Sequence, residues 1–305
     1  MSAPSTNIRN VKARRTWSEN TWRFLQTAPI SAWFGMIVIL IYAFCALFAP
    51  WLAPFGEGEI VTKGAYGPIT WANWFGTDQI GRDTFSRVLY GGRNTIGIAL
   101  ITVLISFSIG GTLGVYAALT RGWMDQIISR IVDALMSIPV LIFALMLLAV
   151  FGKSNPYPEL MGNFPLNLIF ILALLDSTRV FRLARNTSLN VVVMDYVEAA
   201  KLRGEGMGWI VLREVVPNIL PPLIAEFGLR FCFVFLTIAA LSFLGVGIQP
   251  PTADWGSMVA ESKSLITYGR IQPLIPAGAI ALLTVAVNFV VDWFLYQTSG
   301  LRDET

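Results

Sequence analysis

Apolar residues gather into long windows free of Asp, Glu, Lys and Arg, separated by shorter polar connections. A helix rises about 1.5 Å per residue, so crossing about 30 Å of hydrocarbon takes about 20 apolar residues. Six windows fit this scale: residues 24–56, with an apolar centre at 32–52; 94–120; 134–152; 160–175; 231–253; and 271–291. The fourth is the shortest and runs on into the polar edge Asp176 to Thr178. The fifth extends back to residue 219 if Glu226 and Arg230 are tolerated. Backbone groups in hydrocarbon need internal partners, so these windows are predicted helices, and they are too long for barrel strands. The pattern predicts an all-α, polytopic membrane protein with six transmembrane helices: an N-terminal tail over 1–31, then a membrane domain over 32–305. The long first window, preceded by about thirty largely polar residues, reads as an uncleaved signal anchor and not a cleaved leader.

Composition agrees. Of 305 residues, 55% are hydrophobic and 13% charged, and mean hydropathy is +0.62, whereas soluble domains carry about a quarter charged residues. With no histidine, imidazole ligands and Ser-His-Asp triads are excluded. Cys45 and Cys232 are the only thiols and both lie in apolar runs, so no disulfide framework or cysteine-rich metal site is expected. Placing the N-terminus in the cytoplasm puts fourteen Lys and Arg inside and seven outside, with Arg230 within a span. That bias favours cytoplasmic N- and C-termini. The net charge of +3 therefore concerns topology, and no basic stripe with interleaved aromatics suggests nucleic acid.

The connections carry the remaining information. Phe75-Gly76-Thr77-Asp78-Gln79-Ile80-Gly81-Arg82-Asp83 precedes the second span, and Asp83 is placed to cap a short interfacial helix bearing Phe85, Val88 and Leu89. Gly110 and Gly114 permit close helix approach, within a bundle or at a dimer interface. The longest inside segment, residues 179–217, reads as two short helices broken at Gly204 to Gly208. Asp195 is the expected N-cap of the first, and Pro217 is expected to end the second and start the next span. Ala199 and Ala200 remove bulk, so such a helix pair fits a partner's groove; the plainer reading is a solvated connection. Within the spans, Glu226 and Arg230 are spaced i, i+4 and are expected to form a neutralised ion pair in preference to a substrate contact. Asp176 with Arg179 and Arg182 reads as the cytosolic margin of the fourth span, Asp133 and Asp292 as interfacial, and Trp51, Trp71 and Trp74 as interface anchors.

Glu198-Ala199-Ala200, then Gly204, then Pro217-Asn218, resembles the EAA loop of permease subunits of ATP-binding-cassette importers. The 75–83 stretch, Ser137-Ile138-Pro139, and the run from Leu241-Ser242-Phe243-Leu244-Gly245 to Trp255-Gly256 are similar to the dipeptide/oligopeptide permease family, second-subunit type. The resemblance covers about residues 28–291 and places the EAA loop at about 186–217. It implies a pore-forming subunit in the cell inner membrane that moves peptides or peptide-like solutes. The implied partners are a second homologous permease, two ATPase subunits docked on Glu198, Ala199, Ala200, Gly204, Pro217 and Asn218, and an extracytoplasmic solute-binding protein. ATP would be held by those subunits, leaving this chain without a cofactor, metal or catalytic residue of its own. Gly152-Lys153-Ser154 mimics the end of a phosphate loop, but Leu147 stands where that loop needs glycine. Two departures mark a divergent branch: Glu214 replaces the family's usual His, and Trp293-Phe294-Leu295-Tyr296-Gln297-Thr298 replaces a charged C-terminal run.

Other classes stay in view. Related permeases carry nickel chelates, opines or oligosaccharides. An intramembrane enzyme would need a catalytic constellation that Asp133, Asp176 and Asp292 do not form. An ATP-independent secondary transporter would continue uptake without ATP.

Overall fold

The computed structural model describes residues 26–151 and 165–298. The 1–25 and 299–305 parts of the termini, the phosphate-loop mimic and the start of the fourth window lie outside the described residues. Those described are helical: α1 (Ile30–Leu47), α2 (Ala49–Leu52), α3 (Thr84–Thr120), α4 (Gly122–Met136), α5 (Val140–Phe151), α6 (Leu166–Val192), α7 (Asp195–Leu202), α8 (Met207–Ile210), α9 (Val216–Phe243), α10 (Trp255–Ser262) and α11 (Leu274–Thr298). Pairing between extended segments among the described residues is limited to isolated bridges such as Ile60 with Arg82.

Four runs are long and apolar enough to cross a membrane: Ile30–Leu47, Thr84–Thr120, Met207–Phe243 and Leu274–Thr298. A fifth is the bent pair Gly122–Met136 and Val140–Phe151, which meet at 91°. The count of six is therefore met only in part. The expected straight third span is broken where Ser137 to Pro139 interrupts the helix, because proline has no N–H for the ladder. α6 carries Asp176, Arg179 and Arg182, too much charge for an apolar window, although it packs in the bundle like the others.

Boundaries shift for local reasons. α3 starts ten residues before the expected second span, since Asp83 caps this long helix and not a separate interfacial one: Ser86 N donates to Asp83 Oδ2 at 2.7 Å. The fifth window ends early. Its apolar tail leaves α9 after Phe243, turns at Gly245 (φ 81°) and returns as α10. Asp254 caps α10, accepting from Gly256 N at 2.8 Å. Trp255 then anchors α10 on the bundle, donating Nε1–H to Val88 O at 2.9 Å and lying edge-on to Phe235 and Tyr42.

The main core joins α3, α5, α6, α9 and α11 through residues such as Ile98, Val103, Ile169, Leu172, Phe235, Ile238 and Leu283. α3 and α6 make the most extensive contact, and Gly110 and Gly114 permit it. A Cβ at Gly110 would lie 2.8 Å from Val180 Cβ, and one at Gly114 would lie 2.7 Å from Phe181 O. Where lipid competes equally for apolar surface, such close approach supplies the packing. Gly110→Leu is expected to destabilise the bundle by about 1–3 kcal/mol or more through overpacking. Gly111, whose Cβ would meet nothing within 4 Å, should accept leucine with little change. Thermal unfolding in detergent checks both; equal melting points for the two variants would contradict this packing.

Candidate functional site

α7 and α8 form a bent tip at the end of the bundle where α6 stops. The expected N-cap is displaced by one residue: Met194, with extended backbone, holds the cap position and Asp195 is the first residue inside the helix. Asp195 and Glu198 then lie in the first turn and Lys201 in the last, each favourable to the helix dipole. The helix closes in a Schellman turn, with Gly204 N donating to Lys201 O at 3.0 Å and Glu205 N to Ala200 O at 3.2 Å. Gly204 has φ 80°, and a Cβ there would meet nothing within 4 Å, so the backbone and not crowding calls for glycine.

The two alanines have different surroundings. Ala200 is buried with Val197 against Val115, Val192, Ile210, Val215 and Ile219. Ala199 lies on the outer face with Glu198. Exposed apolar side chains surround that face, including Met194, Met207, Leu202 (83% exposed) and Leu212 (70%). An apolar rim of this kind next to charged residues is the character of a protein-binding surface.

Pro217 does not end a helix. A π turn at Val211–Val215 joins α8 to α9, and Pro217 falls in the first turn of α9, where its missing N–H costs little. Asn218 Nδ2 donates to Glu214 O at 2.6 Å. The tip is thus one helical run, Met207–Phe243, with the interior of the bundle.

Within that run Arg230 Nε lies 2.7 Å from Glu226 Oε1. Arg230 Nη1 is also 3.6 Å from Asp176 Oδ1, and Ser106 Oγ donates to Asp176 Oδ2 at 2.8 Å. Asp176 is buried near the middle of α6, linking α3, α6 and α9. Sequence spacing finds contacts along one helix and missed this one between helices; the only signal was a carboxylate inside an apolar helix. Further along α6, Arg182 pairs with Asp133, and Arg185 Nε with Asp125 Oδ1 at 2.5 Å.

At the other end of the bundle, the 75–83 stretch folds around a second ion network. Arg82 Nε meets Asp78 Oδ2 at 2.6 Å. Arg87 Nη1 meets Asp78 Oδ2 at 2.5 Å and Glu261 Oε2 at 2.7 Å. Burial raises the Asp78 carboxyl, but hydrogen bonds from the Arg82 backbone, the Arg82 side chain and the Ile80 backbone, with the Arg87 charge, outweigh it and hold it below its usual value. A depressed carboxyl contributes stability above the unfolded value, about 3.9, and loses it as pH falls through the folded value. Acid below about pH 4 is therefore expected to lower the melting temperature. Asp78→Asn should be less stable at neutral pH and fall less steeply in acid; parallel profiles would exclude this linkage.

Residues 110–298 match the family described as binding-protein-dependent transport system inner membrane component, and residues 17–62 match the N-terminal TM domain of oligopeptide transport permease C. The chain is 32% identical to the glutathione transport system permease protein GsiD of Pectobacterium atrosepticum, over 97% of this chain and 92% of that protein. It is 33% identical to the probable D,D-dipeptide transport system permease protein DdpC of Escherichia coli, over 99% and 96%. A crystal structure of an amino acid ABC transporter with histidines is similar at TM-score 0.48 and 19% identity, covering 70% of this chain and 94% of that one. The two family matches and the two permease relatives define a multi-pass inner-membrane permease, the pore-forming subunit of an ATP-binding-cassette importer. The chain belongs to the binding-protein-dependent transport system inner membrane component family.

Proposed function

We propose that this permease imports peptides or peptide-like solutes, and that separate ATPase subunits drive it by docking on the α7–α8 tip through Glu198, Ala199, Ala200, Gly204, Pro217 and Asn218. The observation that carries the reading is the joint between tip and pore. Ala200 seats α7 against α9, and the helix is unbroken from Met207 to Phe243. A force on the tip then moves Arg230, in the interior, and the α10 end together, a rigid-body coupling between distant sites. Relatives named for glutathione and D,D-dipeptide transport support the solute class.

On this reading α6 is the remaining crossing, fourth in chain order, because Asp176, Arg182 and Arg185 find partners inside the bundle and not in lipid. Residues 32–305 form one permease domain after a cytoplasmic tail, and an even number of crossings with a cytosolic tip leaves both termini in the cytoplasm. A second permease completes the pore, an extracytoplasmic binding protein delivers the solute, and two ATPases bind and hydrolyse ATP, so this subunit is not itself an enzyme. Nickel chelates, opines and oligosaccharides are the alternative cargoes.

The test is uptake of labelled dipeptide by proteoliposomes holding the complete complex. The reading expects uptake only with binding protein and ATP. Uptake that persists on a proton gradient without ATP would replace it with secondary transport, and uptake of only a non-peptide solute would replace the cargo.

A further inference from the structure

Among the described residues, one cation in the interior of the bundle has no carboxylate within ion-pair distance. Arg230 is shared by Glu226 and Asp176, at 2.7 and 3.6 Å. Arg179, three residues beyond Asp176 on α6, makes no ion pair or hydrogen bond among the described residues; its guanidinium lies over the Phe233 ring, Cζ 4.6 Å from the centroid. Arg230 Cζ is 5.2 Å from the same ring. Arg179 is the fourteenth of 27 residues in α6, and Arg230 the fifteenth of 28 in α9. Each is about 20 Å from either end of its helix.

Arg179 is only partly buried, and it borders a recess lined by Val140, Leu172, Asp176, Phe233 and Thr237, with about 260 Å³ of empty space including its open mouth. With α6 read as a crossing, a guanidinium on it is too costly to present to hydrocarbon, so this face looks onto water or another polar surface.

We propose that Arg179 is a carboxylate-docking residue in the translocation path, receiving the C-terminal carboxylate of a peptide in transit. The proposal rests on the peptide-import reading above. The guanidinium lies over Phe233 and makes no hydrogen bond among the described residues, so its N–H groups are available to bind a carboxylate through two parallel hydrogen bonds. Of the two nearby acids, Glu226 pairs with Arg230, while Asp176 accepts from Ser106 and lies 3.6 Å from Arg230. Asp176, one turn away, tempers the positive potential, so the ligand is held weakly enough to leave, as a conducting site requires.

The experiment uses the complete importer in detergent without binding protein, so that protein's own selectivity does not enter. Cys45 and Cys232 are replaced by alanine, and Val140→Cys places a thiol in the recess beside native Arg179. Dialanine is expected to slow labelling of that thiol by an anionic water-soluble methanethiosulfonate about tenfold, and dialaninamide, which lacks the carboxylate, much less. Adding Arg179→Gln should abolish the difference; if that variant does not assemble, the comparison with native Arg179 decides alone. Absence of labelling, or slowing that is absent or equal for the two compounds, overturns the proposal. An acidic side chain of the second permease seated on Arg179 gives that result. Dialanine uptake by the unaltered importer is measured in parallel. If uptake succeeds and labelling does not discriminate, only the Arg179 assignment fails; if uptake fails, the peptide reading fails with it.

Discussion

Glu198→Lys is expected to leave the permease folded and inserted while cutting ATP-driven uptake by about tenfold or more, the scale of a like-charge clash in an interface. Glu198 is exposed on the outer face of α7 and has no side-chain partner among the described residues, so its reversal should cost little stability. Its place in the first helical turn adds only a small dipole penalty, about 0.3–1 kcal/mol. A partner surface built to receive a carboxylate would instead meet an ammonium. Gly204→Asp acts differently: the φ of 80° strains any residue with a Cβ by about 1–2 kcal/mol and loosens the Schellman turn that aims the tip. Co-purification of the ATPases and solute uptake are measured together. Both variants should be present in the membrane at normal levels and deficient in uptake; normal transport by both would remove the docking role from α7.

Arg87→Leu is expected to cost about 3–5 kcal/mol, the usual penalty for removing one partner of a buried ion network. Arg87 is 1% exposed and sits between Asp78 and Glu261, so its loss leaves the two carboxylates with Arg82 alone between them, and that at 3.4 Å from Glu261. The same contact ties the 75–83 stretch and the start of α3 to α10, so these segments should loosen together. A fall in melting temperature with faster proteolysis near residue 261 is the expected result. Arg87→Lys, which keeps the charge but not the fork, should lie between. An unchanged melting point in Arg87→Leu would show the network to be dispensable.

Much of the fold was legible because apolar length is a one-dimensional signal. Windows at 32–52, 94–120 and 271–291 correspond to α1 with α2, α3 and α11, and the two helices of the 179–217 segment are present. Errors fell where geometry depends on distant residues. Asp83 could be read as a cap, but not as the cap of a 37-residue helix. The tail of the fifth window is apolar because it folds back with α10 onto α3, which hydropathy does not distinguish from crossing a membrane. Asp176 looked marginal beside Arg179 and Arg182 in sequence. Its buried links to Ser106 and Arg230 join helices 70 and 54 residues away, beyond the reach of spacing rules. The residues proposed to couple were legible as a motif, whereas the split between inward Ala200 and outward Ala199 needed the packing of α7.

The most direct measurement of the central claim is the side of the membrane on which residue 204 lies. With Cys45 and Cys232 replaced by alanine, Gly204→Cys is treated with a membrane-impermeant maleimide in right-side-out and in inverted vesicles. The account predicts labelling in inverted vesicles alone, reduced when the ATPase subunits are bound. Labelling from the outside would contradict it, because no cytosolic motor can act on a tip exposed there.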